Sequence, residues 1–209
     1  MDDLPYNIHT WFGGKTPLIR KKYSVIIADP AWNFRSNSVK APGRNAARYY
    51  KTMHNQAIVD MPVQELLADG PAILFLWITG PMLVLGRHLP IMKAWGFTPR
   101  AIGFTWIKLN PKAPGLFIML QDIHMGGGFT TRKNAEFVVI GARGKSLRQS
   151  RSVREIIISP RREHSRKPEE FYERVRAYTG DLPTAELFAR QARPGIDGWG
   201  DQMGKFDGG

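Results

Sequence analysis

The chain has 209 residues, with 30 Lys+Arg against 18 Asp+Glu for a formal net charge of +12, 43% hydrophobic residues, 11% aromatic residues and no cysteine. That much apolar side chain supports a packed core, which excludes a disordered chain, and the missing thiols exclude disulfide scaffolds, cysteine nucleophiles, cysteine zinc sites and iron–sulfur clusters. The five histidines are too scattered to place two metal ligands on one helical face, so no metal site is expected and the basic excess points to a polyanionic partner, nucleic acid first.

In chain order, a short N-terminal arm spans residues 1–22. Asp2 and Asp3 stand where a secretory leader carries basic residues, and no apolar run follows. The most apolar stretch, 72–86, is interrupted by Thr79, Gly80 and Pro81, which is too short for a membrane span. These features predict a soluble, cytoplasmic protein, nucleoid-associated when bound to its partner, and fit a monomer or a homodimer.

Tyr23 to Ala28 is a β-branched run ending at Asp29-Pro30, as in a buried parallel strand that turns at its carboxyl end. Residues 33–53 mix Pro, Gly and Asn with basic side chains and read as an exposed, mobile loop. Val63 to Ala68 predicts a short helix, Ala72 to Ile78 a second buried strand, and Met82 to Trp95 one helix kinked at Pro90 and ended by Gly96. Phe97 to Lys108 predicts strand and 109–128 a long loop. Ala135 to Ile140, Glu155 to Ile158 and Thr184 to Ala189 predict further strands. Pro168 opens a helix with Glu169 and Glu170 in its first turn, where negative charge suits the dipole. Strands alternating with helices imply a single α/β domain, 1–209, with a mostly parallel central sheet flanked by helices.

Two glycine motifs fail as nucleotide sites. Gly144-Lys145-Ser146 ends like a phosphate-binding loop, but Val139 occupies the position of its first glycine. The run Gly126-Gly127-Gly128 does not bridge a strand to a helix, and a flexible loop is expected there. Asp29-Pro30-Ala31-Trp32 is more informative. An acid at the mouth of a buried strand, a rigid proline and an aromatic make a candidate clamp for a planar, amine-bearing base.

This tetrapeptide resembles the Asp-Pro-Pro-Trp motif of the MT-A70 family of S-adenosylmethionine-dependent adenine N6-methyltransferases. The resemblance continues in family order through Tyr50 to Met53, Phe75 to Gly80, Trp106-Ile-Lys108, Arg132, Glu136 to Gly144, His164 to Tyr172, Glu186 to Arg190 and Gly200-Asp201-Gln202. It implies a Rossmann-like class I methyltransferase fold with permuted motif order, the acidic-aromatic motif lying early and the cofactor motif late. It also departs from the pattern: Ala31 replaces the second proline, Ala189 the commoner glycine before Arg190, and Gln191-Ala192-Arg193 a His-Asn pair.

Adenine N6 is a poor nucleophile because its lone pair is delocalised into the ring. The resemblance implies that the Asp29 carboxylate and Pro30 carbonyl accept the two N6 protons while Trp32 packs against the base. No strong base is needed, since the nitrogen becomes acidic only after methylation. For the cofactor S-adenosyl-L-methionine the resemblance implies Lys167 at the methionine carboxylate, Glu186, Arg190 and Arg193 around ribose and amino acid, Asp201 and Gln202 near the adenosine, and Asp29 at the ammonium. Two basic loops are expected to grip phosphates around a flipped base. One, 33–53, carries Arg35, Lys40, Arg44, Arg48 and Tyr50; the other, 143–167, carries Arg148, Arg151, Arg154, Arg162 and Arg166. DNA is the favoured substrate, with RNA, or a noncatalytic nucleic-acid-binding subunit of the same fold, as alternatives.

Overall fold

The computed structural model describes residues 21–32, 53–113, 117–128 and 130–207. The expected first loop, with Arg35, Lys40, Arg44, Arg48 and Tyr50, lies outside the described residues, as do the first twenty residues of the arm. Seven strands form one sheet: β1 (Val25–Ala28), β2 (Ala72–Ile78), β3 (Thr98–Leu109), β4 (Ala135–Arg143), β5 (Ile156–Pro160), β6 (Thr184–Leu187) and β7 (Ile196–Trp199). Their order is β5-β3-β4-β2-β1-β6-β7. Strand β4 runs antiparallel to both its neighbours, and every other pairing is parallel.

The strand sequences explain their position. Every residue of β1 and β2 is buried, as continuous apolar runs require when both faces of a sheet are covered. Period-two alternation divides them between two cores. Ile26, Ala28, Leu74, Leu76 and Ile78 pack with Ile58, Ile91, Met92 and Trp95. Val25, Ile27, Ile73, Phe75 and Trp77 face the other way, toward Phe104, Trp106, Phe171 and Val175. The first core is covered by helices α1 (Asn55–Val59) and α3 (His88–Ala94), the second by α4 (Glu169–Thr179). Each such side chain contributes about 1.5–3 kcal/mol on burial.

Local chemistry sets the helix ends. Helix α4 starts after extended Pro168 with Glu169 and Glu170 in its first turn, and stops at Gly180, whose φ of 69° places it in the left-handed region. The single helix expected over Met82 to Trp95 is two, α2 (Gly80–Val84) and α3, parted at Gly86 with φ 64°. Pro90 lies in the first turn of α3, where a missing N–H costs nothing, so the glycine makes the break. Val63–Leu66 is a 3-10 turn because the chain must straighten at Leu67 to bridge Tyr23.

Two further differences arise near the sheet's edges. The triple glycine is a close crossing of backbones. A Cβ on Gly126 would meet the Lys133 carbonyl oxygen at 2.2 Å, and one on Gly128 the Thr131 oxygen at 2.1 Å. Strand β7 has no counterpart among the expected elements, since its sequence Ile-Asp-Gly-Trp has little β pattern. Asp197 anchors it by accepting bonds from Tyr23 Oη at 3.0 Å and Lys21 Nζ at 2.9 Å. Among the described residues no helix is long and apolar enough to cross a membrane.

From β1 the chain moves to β2 on one side and returns to β6 on the other, so strand order reverses beside β1. Ligands of open α/β sheets bind at such a switch point, beyond the carboxyl ends. Asp29 directly follows β1, and Phe188 to Arg190 follow β6.

Candidate active site

Asp29 leaves β1 with its backbone N–H donating to the Leu187 carbonyl of β6 at 3.4 Å, which ties the two ends of the switch point together. The next turn is closed by the Trp32 N–H donating to the Pro30 carbonyl at 2.8 Å. One of the two lone pairs of that carbonyl is thus used, and one remains. Trp32 is 5% exposed, and its indole N–H donates to the Trp77 carbonyl at 3.0 Å. It is a fixed wall of the site as well as part of the core.

A chain of alternating charges runs from this turn. Asp29 pairs with Lys167 at 3.0 Å, Lys167 with Glu136 at 2.9 Å, and Glu136 with Lys108. Lys167 is 8% exposed and its ammonium lies 4.8 Å from the centre of the Trp77 ring. Burial alone would lower its pKa, but Asp29 and Glu136 hold it well above the ordinary lysine value. Burial likewise pushes Glu136 up, yet Lys167 and Lys108 hold it far below the usual carboxylate range. The geometry keeps Lys167 and Glu136 charged.

The Asp29–Lys167 pair is the wall between two cavities. The larger, of about 310 Å³, is lined by Asp29, Pro30, Trp32, Trp106, Lys108 and Glu136, with His124, Arg161 and Arg162 toward its rim. That is ample for a purine ring. The smaller, of about 20 Å³, is lined by Tyr172, Glu186, Phe188, Arg190, Arg193 and Phe206, and shares Asp29, Ser165 and Lys167 with the first. It takes one water, so a larger ligand requires its side chains to part.

The smaller cavity has a different electrostatic character. Tyr172 Oη donates to Glu186 Oε1 at 2.7 Å, and the Arg193 guanidinium stacks on the Tyr172 ring at 3.7 Å. Burial pushes the Glu186 carboxyl up to about 7, because the Tyr172 bond and Arg193, 4.0 Å away, offset only part of the lost hydration. Burial and Glu186 together raise Tyr172 well above the ordinary phenol value. Among the described residues, Arg193 Nε is buried with no hydrogen-bond acceptor. Buried donors and acceptors are normally paired, so this atom has binding capacity in reserve.

The expected site residues divide into three groups. Asp29, Pro30, Trp32, Lys167, Glu186, Arg190 and Arg193 converge on the two cavities. Asp201 and Gln202 do not; they sit in the turn after β7, where Gln202 accepts a bond from Lys205 at 3.0 Å, and only Phe206 of that turn reaches the smaller cavity. Of the basic residues, Arg148, Arg151 and Arg154 are exposed, and among the described residues none pairs with a carboxylate. Arg162 pairs with Glu169 at 2.7 Å at the rim of the larger cavity. Arg166, expected on the phosphate-contacting surface, is instead 5% exposed, paired with Glu163 at 3.1 Å and set over the Phe206 ring. The site also enlists Lys108, Glu136 and Tyr172, to which the sequence alone assigns no role. The visible signal is an ionisable residue inside an otherwise apolar strand, Glu136 above all.

The chain is similar in sequence to known methyltransferases. The chain is 29% identical over 200 residues to the type II methyltransferase M.MunI of a Mycoplasma species, covering 88% of this chain and 78% of that one. It is 30% identical over 171 residues to a probable N(6)-adenosine-methyltransferase MT-A70-like protein of rice, and 27% over 172 residues to the human N(6)-adenosine-methyltransferase catalytic subunit METTL3. Those matches cover 81% of this chain but only 21% and 26% of the relatives' lengths. The MT-A70 profile matches residues 23–202, which include every strand of the sheet and every lining residue of the larger cavity, and the chain belongs to the MT-A70 methyltransferase family.

Proposed function

We propose that the protein transfers a methyl group from S-adenosyl-L-methionine to N6 of adenine in DNA, with Asp29 and Pro30 as the catalytic pair. The observation that carries this reading is the place of Asp29, held by Lys167 on the wall shared by a purine-sized cavity and a polar one. In the larger cavity the Asp29 carboxylate accepts one N6–H, and the Pro30 carbonyl accepts the other through its remaining lone pair. Both bonds draw the nitrogen lone pair out of conjugation and orient it. Lys167 holds Asp29 in place through their ion pair, and Glu136 in turn holds Lys167. Trp32 gives the base a rigid wall. The proton released after methylation passes to water at the cavity mouth.

The polar groups of the smaller cavity fit the methyl donor: the Glu186 oxygens suit as acceptors for vicinal hydroxyls, and the Arg190 and Arg193 guanidiniums suit as donors to a carboxylate. When bound, S-adenosylmethionine supplies an electrophilic sulfonium methyl. Lys167, expected at the methionine carboxylate, already has two carboxylate partners in the structure. Its role is therefore assigned chiefly to holding Asp29.

Support for DNA comes from the relative matched over most of both chains, whose type II designation points to DNA; relatives named for adenosine match over about a quarter of their length or less. RNA is the second reading. Incubation with labelled S-adenosylmethionine and duplex DNA, single-stranded DNA or RNA, followed by nucleoside mass spectrometry, separates them. N6-methyladenine in DNA is the expected product, and its appearance in RNA alone would reverse the assignment.

A further inference from the structure

The loop leaving the carboxyl end of β3 sends a run of apolar side chains into solvent. Phe117 is 75% exposed, Leu120 83% and Met125 73%, with Ile118 and Met119 also exposed between them. A contiguous exposed apolar patch on a protein surface marks an interaction site. The described base of the loop is tied to the end of β3. Leu109 and Ile123 form a bridge, the His124 N–H donates to the Lys108 carbonyl at 2.7 Å, and the Asn110 N–H donates to the Asp122 carbonyl at 2.8 Å. The patch also stands beside the larger cavity, because His124 and Gly127 line it. Leu120 and His124 lie four positions apart in sequence, a span of at most about 14 Å.

We propose that Phe117 and Leu120 form a wedge that enters a DNA base stack and fills the gap left by the adenine turned into the larger cavity. The inference rests on the methyltransferase reading above and adds how that site receives a base from a duplex. Extracting a base sacrifices stacking, and proteins that open a stack insert apolar side chains between base steps. The surrounding charge selects the occupant. The loop carries Lys112, Arg132 and Lys133 against one acid, Asp122, whose carboxylate accepts the Met119 N–H at 2.8 Å. Arg161, Arg162 and Lys108 continue this basic rim into the cavity. An apolar tip with a basic surround suits bases between phosphates, whereas a second copy of this chain would set two basic rims against each other.

The test uses the full chain carrying Phe117→Ser and Leu120→Ser, both exposed positions outside the core. N6-methyladenine formation is measured on a long, PCR-made, unmethylated DNA duplex and on its heat-separated strands, and mass in solution is read by light scattering. The wedge predicts a loss of roughly tenfold or more in kcat/KM on the duplex with single strands methylated at the wild-type rate. Wild-type rates retained on both substrates, equal losses on both, or a wild type inactive on duplex DNA would overturn it. So would a wild-type dimer that the substitutions dissociate, which would identify a second copy as the occupant. A wild type that methylates no polymer would reject the broader reading as well.

Discussion

Glu136, partly buried, and Glu186, buried, are carboxylates on opposite sides of the Asp29–Lys167 pair, and their environments drive them in opposite directions. Glu136 contacts two ammonium groups and is held far below the ordinary carboxylate range despite its burial. Glu186 has a phenol at 2.7 Å and a guanidinium only at 4.0 Å, and burial lifts it to about 7. Burial sets the cost of the charge; the partners decide whether the charge persists. The Glu136 side is therefore a frame of linked ion pairs for Asp29. On the Glu186 side hydrogen-bonding capacity is held in reserve, as a site built to receive polar ligand groups requires.

The largest effect is expected where the frame loses its central cation. Lys167→Ala leaves Asp29 without its counter-ion and Glu136 with Lys108 alone, and chemical denaturation at pH 7 should show a loss of about 3 kcal/mol. A variant as stable as wild type would mean that the charges are hydrated and the frame is loose. Glu186→Gln should act in the opposite direction. A carboxyl raised from 4.5 to about 7 is favoured in its neutral form by the fold, so its cost is absent below pH 4.5 and grows as pH rises toward 7. The amide removes that cost, adding about 2 kcal/mol at pH 8 and nothing at pH 4.5, read as the difference in Tm. The same variant should bind S-adenosylmethionine about tenfold more weakly by calorimetry. The smallest effect lies outside both regions. Replacing Arg148, Arg151 and Arg154 by Gln should leave stability unchanged and flatten the salt dependence of DNA binding, by about 0.9 in slope for each phosphate no longer neutralised. An unchanged slope would return these arginines to a solubilising surface.

The frame and the reserve are unequally legible in the sequence. Strands β1 and β2 are evident because fully buried strands read as unbroken apolar runs, and Asp29 is evident because it ends one of them. Helix α4 is equally plain from Pro168 and the two glutamates after it. Partner choice is not visible. Nothing local to Lys167 shows that its ammonium meets Glu136, since that contact depends on β4 lying antiparallel beside β2 and β3. Arg166 and Lys167 look alike in a basic stretch, yet both turn inward because the left-handed Ser165, with φ 67°, redirects the chain just before them. Strand β7 lacks a pattern because its stability comes from the edge of β6 and from Asp197 instead of from apolar alternation.

The proposed chemistry depends above all on Asp29, on the wall between the two cavities. Asp29→Asn keeps the shape of that side chain and leaves Glu136 to hold Lys167, so the fold should survive and can be checked by circular dichroism. The decisive measurement is the amount of N6-methyladenine formed in DNA by this variant and by wild type. A fall of about a hundredfold to a thousandfold is expected, with S-adenosylmethionine binding largely retained. Methylation by Asp29→Asn at the wild-type rate would contradict the assignment of Asp29 to the chemical step.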